Sequence, residues 1–143
     1  MTDQFTIGVF SIIFDAQKRV LFAHRRDMDL WDLPGGGMNH GELPNETAIR
    51  ETKEETGFDV AIDRLLSVYA KPAPQDKDLG FIFLGHVIGG EMTLSNESDD
   101  VVFFSSDELP ENISPRLRVV IDDVLQNLSE TIFIKVNIPH VKE

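Results

Sequence analysis

The chain has 143 residues, 41% of them hydrophobic, which is enough for one ordinary core without covalent or metal staples. It holds no cysteine, which excludes disulfides, thiolate zinc sites and a cysteine nucleophile and fits a reducing compartment, with the cytoplasm as the expectation. Twenty-five acidic residues against thirteen basic ones give a formal charge of -12, so the chain repels nucleic-acid phosphates and would repel a small phosphorylated substrate as well, unless bound cations reversed the local field.

Neither a signal peptide nor a membrane span is expected. The start, Met1-Thr2-Asp3-Gln4, lacks a positive region, and every apolar stretch is too short to cross a bilayer. Residues 1–143 are expected to form a single domain.

Phe5 to Phe14 and Arg19 to Ala23 are rich in β-branched and aromatic residues and flank the polar turn Asp15-Ala16-Gln17-Lys18, so they predict a β-hairpin. Leu33 to Glu42 carries four glycines in ten residues and predicts an irregular loop. A helix should follow, with Pro44 at its first position, Glu46 at its third and Gly57 ending it in a left-handed conformation; Leu43 is a poor N-cap. Val60 to Ala70, Leu79 to Ile88 and Val101 to Phe104 predict further strands in a sheet of mixed direction. From Ser114-Pro115 to Leu128, the residues Leu117, Val120, Ile121, Val124, Leu125 and Leu128 recur at helical spacing, which predicts an amphipathic helix. Thr131 to Ile138 alternates and predicts a closing strand or one offered to a second copy of the chain, as in a homodimer.

The chemistry is concentrated in residues 36–58. Gly36, Glu42, Arg50, Glu51, Glu54, Glu55 and Gly57, followed by Phe58, form the pattern G-x5-E-x7-R-E-x-x-E-E-x-G. Seven such matches arise by chance at on the order of 10^-6 over a chain of this length. At about 100° per residue, Glu51, Glu54 and Glu55 fall on one helical face and crowd three carboxylates together. Carboxylate oxygens suit hard magnesium or manganese ions, which keep several waters and bridge to substrate phosphates. Arg50, four residues before Glu54, can hold its carboxylate, and Glu42 can brace Arg50 from the loop side. Ala48, Ile49, Thr52 and Thr56 lie on the opposite face, available to pack against a sheet. The competing interpretation is a solvated acidic surface helix, which leaves the glycine loop and Arg50 unexplained.

The pattern resembles the Nudix box, as in MutT-like and ADP-ribose pyrophosphatase-like proteins. Leu30-Trp31-Asp32-Leu33-Pro34 is similar to the family's approach to the box, and Val101 to Phe104 with Asp107-Glu108-Leu109-Pro110 is similar to its last core strand and turn. Thr52 departs from the pattern, which prefers an aliphatic residue there; its methyl can still pack while its hydroxyl bonds back to the helix. The resemblance implies an α/β/α sandwich around a mixed central sheet, and hydrolysis of a diphosphate bond in a nucleoside diphosphate linked to another moiety. It implies that Glu51, Glu54 and Glu55 hold magnesium or manganese with the Gly36 carbonyl as an extra ligand, and that Glu42, Arg50 and Gly57 support them. Cations held this way activate water and neutralise the diphosphate in the family. In many relatives a glutamate on a loop near the last core strand reaches the cluster as a ligand or base, which singles out Glu97; the alternative is that Glu97-Ser98-Asp99-Asp100 is a solvated acidic turn.

Other residues carry less. Arg25 or Arg26 can grip a phosphate, with only one of the two expected to face the site, though arginines after a strand are more often solvated. Trp31 can stack on a base or pack in the core. His24, His40 and His86 lack metal-ligand spacing. Isoprenoid diphosphate isomerases of the same fold resemble one another in using a cysteine, absent here. The remaining alternatives are a non-catalytic nucleotide-binding module and hydrolysis of oxidised nucleoside triphosphates to monophosphate and pyrophosphate. Pro72 and Pro74, about fifteen residues after the box, resemble the proline placement of ADP-ribose hydrolases and tilt the expectation towards ADP-ribose or a nucleotide sugar.

Overall fold

A computed structural model describes residues 6–70 and 78–136. Strands β1 (Thr6–Phe14), β2 (Val20–Arg25), β3 (Trp31–Asp32) and β4 (Gly35–Gly37) precede helix α1 (Pro44–Thr56). Strands β5 (Phe58–Ala70), β6 (Asp78–Gly90) and β7 (Ser98–Phe104) lead to helix α2 (Pro115–Gln126) and strand β8 (Ile132–Lys135). Pro72 and Pro74 lie outside the described residues.

The sheet runs in the order β3-β2-β1-β6-β5-β8, with β4 paired to β1 and β7 to β2. β1 with β6 and β5 with β8 are parallel, and the other pairs are antiparallel, which makes the sheet mixed. Alternation along β1 assigns its two faces. Val9 packs with Ala48 of α1 and Phe83 of β6, whereas Phe10 and Ile12 pack with Leu117, Val120, Ile121 and Val124 of α2. A helix therefore covers each face of the sheet, the α/β/α sandwich that the resemblance implies. Among the described residues no helix is long and apolar enough to cross a membrane.

Several expectations need correction. The glycine segment is not wholly irregular, because Gly35–Gly37 pairs with β1 at Val9↔Gly36. A Cβ at Gly35 would stand 2.2 Å from the Val9 carbonyl oxygen and 2.5 Å from Phe10, so only glycine brings this backbone so close. β7 begins at Ser98, which takes Asp99 and Asp100 out of a turn and into a strand paired with β2. Ile49 is 41% exposed and does not face the sheet; the buried residues of α1 are Thr47, Ala48, Thr52 and Thr56. Ile49 sits one helical step beyond Ala48, far enough to leave the packed stripe. β8 forms the sheet edge, with Ile132 and Ile134 packed on the core and Phe133 79% exposed.

Candidate active site

Helix α1 is held at both ends by devices that leave its acidic face clear. Leu43 offers no side-chain acceptor, but its N–H donates to Glu46 Oε1 at 2.8 Å, half of a capping box. Gly57 ends the helix at φ 83°, and its N–H donates to the Lys53 carbonyl at 2.9 Å. A Cβ at Gly57 would meet the Glu91 carbonyl oxygen at 2.1 Å, so glycine is required for close packing as well as for backbone angle. On the buried face, Thr52 Oγ1 donates to the Ala48 carbonyl at 2.7 Å, the back-bond that makes threonine tolerable where an aliphatic residue is usual.

Arg50 organises the other face. Its Nε donates to Glu42 Oε2 at 2.6 Å and its Nη2 to Glu42 Oε1 at 3.0 Å, a two-pronged grip. Nη1 donates to Glu51 Oε1 at 2.9 Å and Glu54 Oε2 at 3.2 Å, and Nη2 also reaches the Gly37 carbonyl at 3.0 Å. One guanidinium thus ties the glycine strand, the loop acid and two helix acids together. Hydrogen bonds from Arg50, then the Asn39 backbone, hold the Glu42 pKa down to about 2, and Glu42, followed by Glu51, pushes the Arg50 pKa up.

The remaining acid lies deeper. Glu55 Oε2 accepts from the Gly35 N–H at 3.2 Å, while burial pushes its pKa up to about 8 against that bond, with help from the charges of Glu51, Glu97 and Asp32. Burial also raises the Glu51 pKa, opposed by Arg50. Glu51 packs directly on Gly36, where a Cβ would fall 2.7 Å from its carboxylate. A cavity of about 340 Å³ brings Gly35, Gly36 and Gly37 together with Glu51, Glu54, Glu55, Ser95, Asn96 and Glu97. Glu97, though exposed, therefore shares a space with the box acids across 42 to 46 positions of sequence.

These donors fit a hard divalent cation. The available groups are oxygens, two of the acids are raised in pKa by burial and crowding, and a side chain at Gly36 would fill the cradle beside Glu51. Among the described residues no three acidic or histidine side chains form a ready-made cage, since Arg50 holds Glu51 and Glu54 while Gly35 holds Glu55.

The domain model of the Nudix family matches residues 4–124. The chain belongs to the Nudix family. A Bacillus subtilis (strain 168) protein provisionally named an 8-oxo-dGTP diphosphatase is 35% identical, over 83% of this chain and 79% of its own length. An ADP-ribose pyrophosphatase of Methanocaldococcus jannaschii is 32% identical, over 68% of this chain and 61% of its own. The crystal structure of an ADP-ribose pyrophosphatase from Streptococcus suis 89-1591 superposes with a TM-score of 0.70 at 25% identity, covering 90% and 98% of the two chains. The protein is thus a Nudix hydrolase, of a family that generally uses divalent metals.

A larger cavity of about 470 Å³ adjoins the first and shares Gly35, Gly36, Glu55, Asn96 and Glu97 with it. Its further lining includes Phe10, Ala23, His24, Arg25, Arg26, Asp27, Asp32, Leu33, Ser98 and Arg116. Both arginines contribute, contrary to the expectation of one, because β2 ends at Arg25 and Arg26 lies in the bend beyond it, where no strand period holds. Both already have partners. Arg25 makes two hydrogen bonds to Asp27, at 2.8 and 2.7 Å, and Arg26 Nη2 donates to the Ser95 and Ser98 carbonyls at 3.1 Å each, pinning the loop that carries Glu97.

Trp31 lies outside the lining of both cavities. It packs edge-on against His24 and Phe104, with ring centroids 4.9 and 5.1 Å away, so the structure places it with the core. His24, without a role from spacing, lies between Asp29 and Asp99 at 2.7 Å each, and hydrogen bonds to those acids raise its pKa.

Sequence reasoning passed over Asp32 and Arg116. Asp32 is 9% exposed, and burial pushes its pKa up, opposed by Arg116. One signal was available: Arg116 stands in the first turn of α2, where the helix dipole disfavours a cation.

Proposed function

We propose that the protein hydrolyses a diphosphate bond in a nucleoside diphosphate linked to a second group, with ADP-ribose or a nucleotide sugar as the preferred class. The observation that carries this reading is the joined pair of cavities. Box acids and Glu97 line one end, and Arg25, Arg26 and Arg116 line the other beside apolar walls. Such a space suits a diphosphate at its acidic end, given cations, and a nucleoside beyond it. The match over residues 4–124 and a sheet that extends to β8 support treating residues 1–143 as one catalytic domain.

Glu51, Glu54 and Glu55, with the Gly36 carbonyl, are the groups that would hold magnesium or manganese, whose charge would neutralise the diphosphate and acidify the attacking water. Arg50 acts as a positioning residue, since it orients Glu51 and Glu54 and is itself braced by Glu42. Gly57 ends the helix where these acids are brought into line. Glu97 takes the proton from the attacking water. The water oxygen joins one phosphorus, and the bridging oxygen leaves with the other phosphate. Arg25 supplies positive charge towards the departing phosphate; Arg26 both does so and holds the Glu97 loop. Trp31 supports β3 from the core and is not assigned to the substrate.

A second reading is hydrolysis of an oxidised nucleoside triphosphate to monophosphate and pyrophosphate, which the name of the Bacillus subtilis relative supports. Product analysis separates the two. ADP-ribose, a UDP-sugar, dGTP, 8-oxo-dGTP and a 5′-triphosphorylated RNA are incubated with magnesium or manganese and their products resolved. Two phosphomonoesters from ADP-ribose at the highest kcat/KM are expected; faster release of pyrophosphate from a triphosphate selects the second reading. Excess chelator should abolish turnover, magnesium or manganese should restore it, and calcium should support little. Full activity in chelator removes the mechanism.

A further inference from the structure

Asp32 is a buried acid that the protein leaves partly unsatisfied. Its Oδ1 is shielded from water and has no hydrogen-bond partner among the described residues. Its Oδ2 stands 3.6 Å from Arg116 Nη2, an ion-pair distance too long for a hydrogen bond. A buried carboxylate with one oxygen unpaired and the other short of hydrogen-bond contact costs folding free energy, a penalty that a donor reaching Oδ2 from the cavity would reduce. The two other unsatisfied side-chain oxygens among the described residues, Ser11 Oγ and Ser67 Oγ, are uncharged hydroxyls and line neither cavity.

The position of Asp32 indicates what such a donor belongs to. The cavity it lines continues to Gly36 and Glu55, so a ligand with its diphosphate at the acidic box extends its nucleoside towards Asp32. Phe10, Ala23 and Leu33 are apolar lining beside it, which suits a planar ring better than a hydrated sugar. Arg116 is half exposed, with its guanidinium carbon 5.2 Å from the centre of the Phe10 ring, and can move from Asp32 without breaking a hydrogen bond. An ionised carboxylate only accepts and a guanidinium only donates. Side by side, they match an edge that presents one donor and one acceptor, as nucleobases do.

We propose that Asp32 is a specificity-determining residue: as Arg116 swings from it, its carboxylate accepts a hydrogen bond at Oδ2 from an N–H of the substrate's nucleobase, while Arg116 donates to the neighbouring acceptor on the same edge. This rests on the reading that the joined cavities take a nucleoside diphosphate derivative.

The test uses nucleoside monophosphates, which have no diphosphate to cleave and so report on the nucleoside end alone. Calorimetric titration of AMP, GMP, IMP, CMP, UMP and their 2′-deoxy forms into wild type should give a clear base ranking that is little changed by loss of the 2′-hydroxyl. Asp32→Asn exchanges one acceptor for a donor and should weaken the preferred base by about tenfold to a hundredfold and reorder the ranking. Arg116→Gln, on the exposed side of the pair, should disturb the same ranking and provides a second reading should Asp32→Asn fold poorly. For the hydrolysed substrate, Asp32→Asn should raise KM with kcat largely kept. Equal binding of all bases, no binding of any monophosphate, an equal loss for every base in both variants, or greater sensitivity to the 2′-hydroxyl than to the base would each overturn the proposal. Failure of the diphosphate reading is visible separately, as absence of turnover on the substrate panel by wild type with metal.

Discussion

The two helices cover opposite faces of one sheet, yet they are built for different ends. α2 buries Leu117, Val120, Ile121 and Val124, a continuous aliphatic stripe, against Phe10, Ile12 and Phe22. α1 buries Thr47, Ala48, Thr52 and Thr56, which are small or partly polar, and turns Glu51, Glu54 and Glu55 towards the glycine strand. Hydrophobic burial scales with apolar area, so α2 contributes more to stability per residue, while α1 carries like charges that weaken the fold when no cation is bound. The lesson is that one layer supplies the free energy that lets the other remain strained.

The strongest way to break this contrast is a reciprocal pair of substitutions. Glu54→Gln and Glu55→Gln keep size and remove charge, and each should cut kcat at least about a hundredfold while leaving the thermal midpoint unchanged or higher in metal-free buffer. Leu117→Ala should do the reverse, costing about 2 to 5 kcal/mol of stability in denaturant titration with kcat of the folded fraction nearly kept. Near-normal turnover in both glutamine variants would remove α1 from the chemistry.

A middle-sized effect sharpens the boundary of the acidic set. Glu97→Gln should lower turnover about tenfold to a thousandfold, whereas Asp99→Asn and Asp100→Asn should change it little, because those side chains follow the loop into β7 and Asp99 is bonded to His24. Equal behaviour of the three variants in steady-state assays would return Glu97 to the status of a surface acid.

The smallest effect concerns pH. Glu55 has a pKa raised to about 8 in the fold against an ordinary 4.5, so the folded state holds the proton more tightly than the unfolded one. Stability without metal should therefore fall as pH rises from about 4.5 to 8, by several degrees in the thermal midpoint, and this part of the slope should vanish in Glu55→Gln. A scan in chelator from pH 5 to 8 measures it. Addition of magnesium at pH 8 should recover the lost stability in wild type.

Much of α1 was legible from residues 36–58 because its information is local. Spacings of three and four residues place side chains on one helical face whatever the rest of the chain does, and Pro44 and Gly57 mark ends by their own backbone restrictions. The apolar period of α2 was legible for the same reason. The sequence by itself therefore determined the carboxylate cluster, its Arg50 support and the mixed sheet of two-faced strands. It could not determine that three glycines add a strand to β1, since glycine is a weak strand former and only close packing against Val9 and Phe10 requires it there. Nor could it bring Glu97 to Glu51, Arg26 to Ser95, or Asp32 to Arg116. Those pairs lie 46, 69 and 84 positions apart, and no local period showed that Arg26, in the bend beyond β2, would line the cavity together with Arg25. Only the tertiary structure decided them, because contacts across a sheet depend on register and chain crossing, which no local residue period encodes.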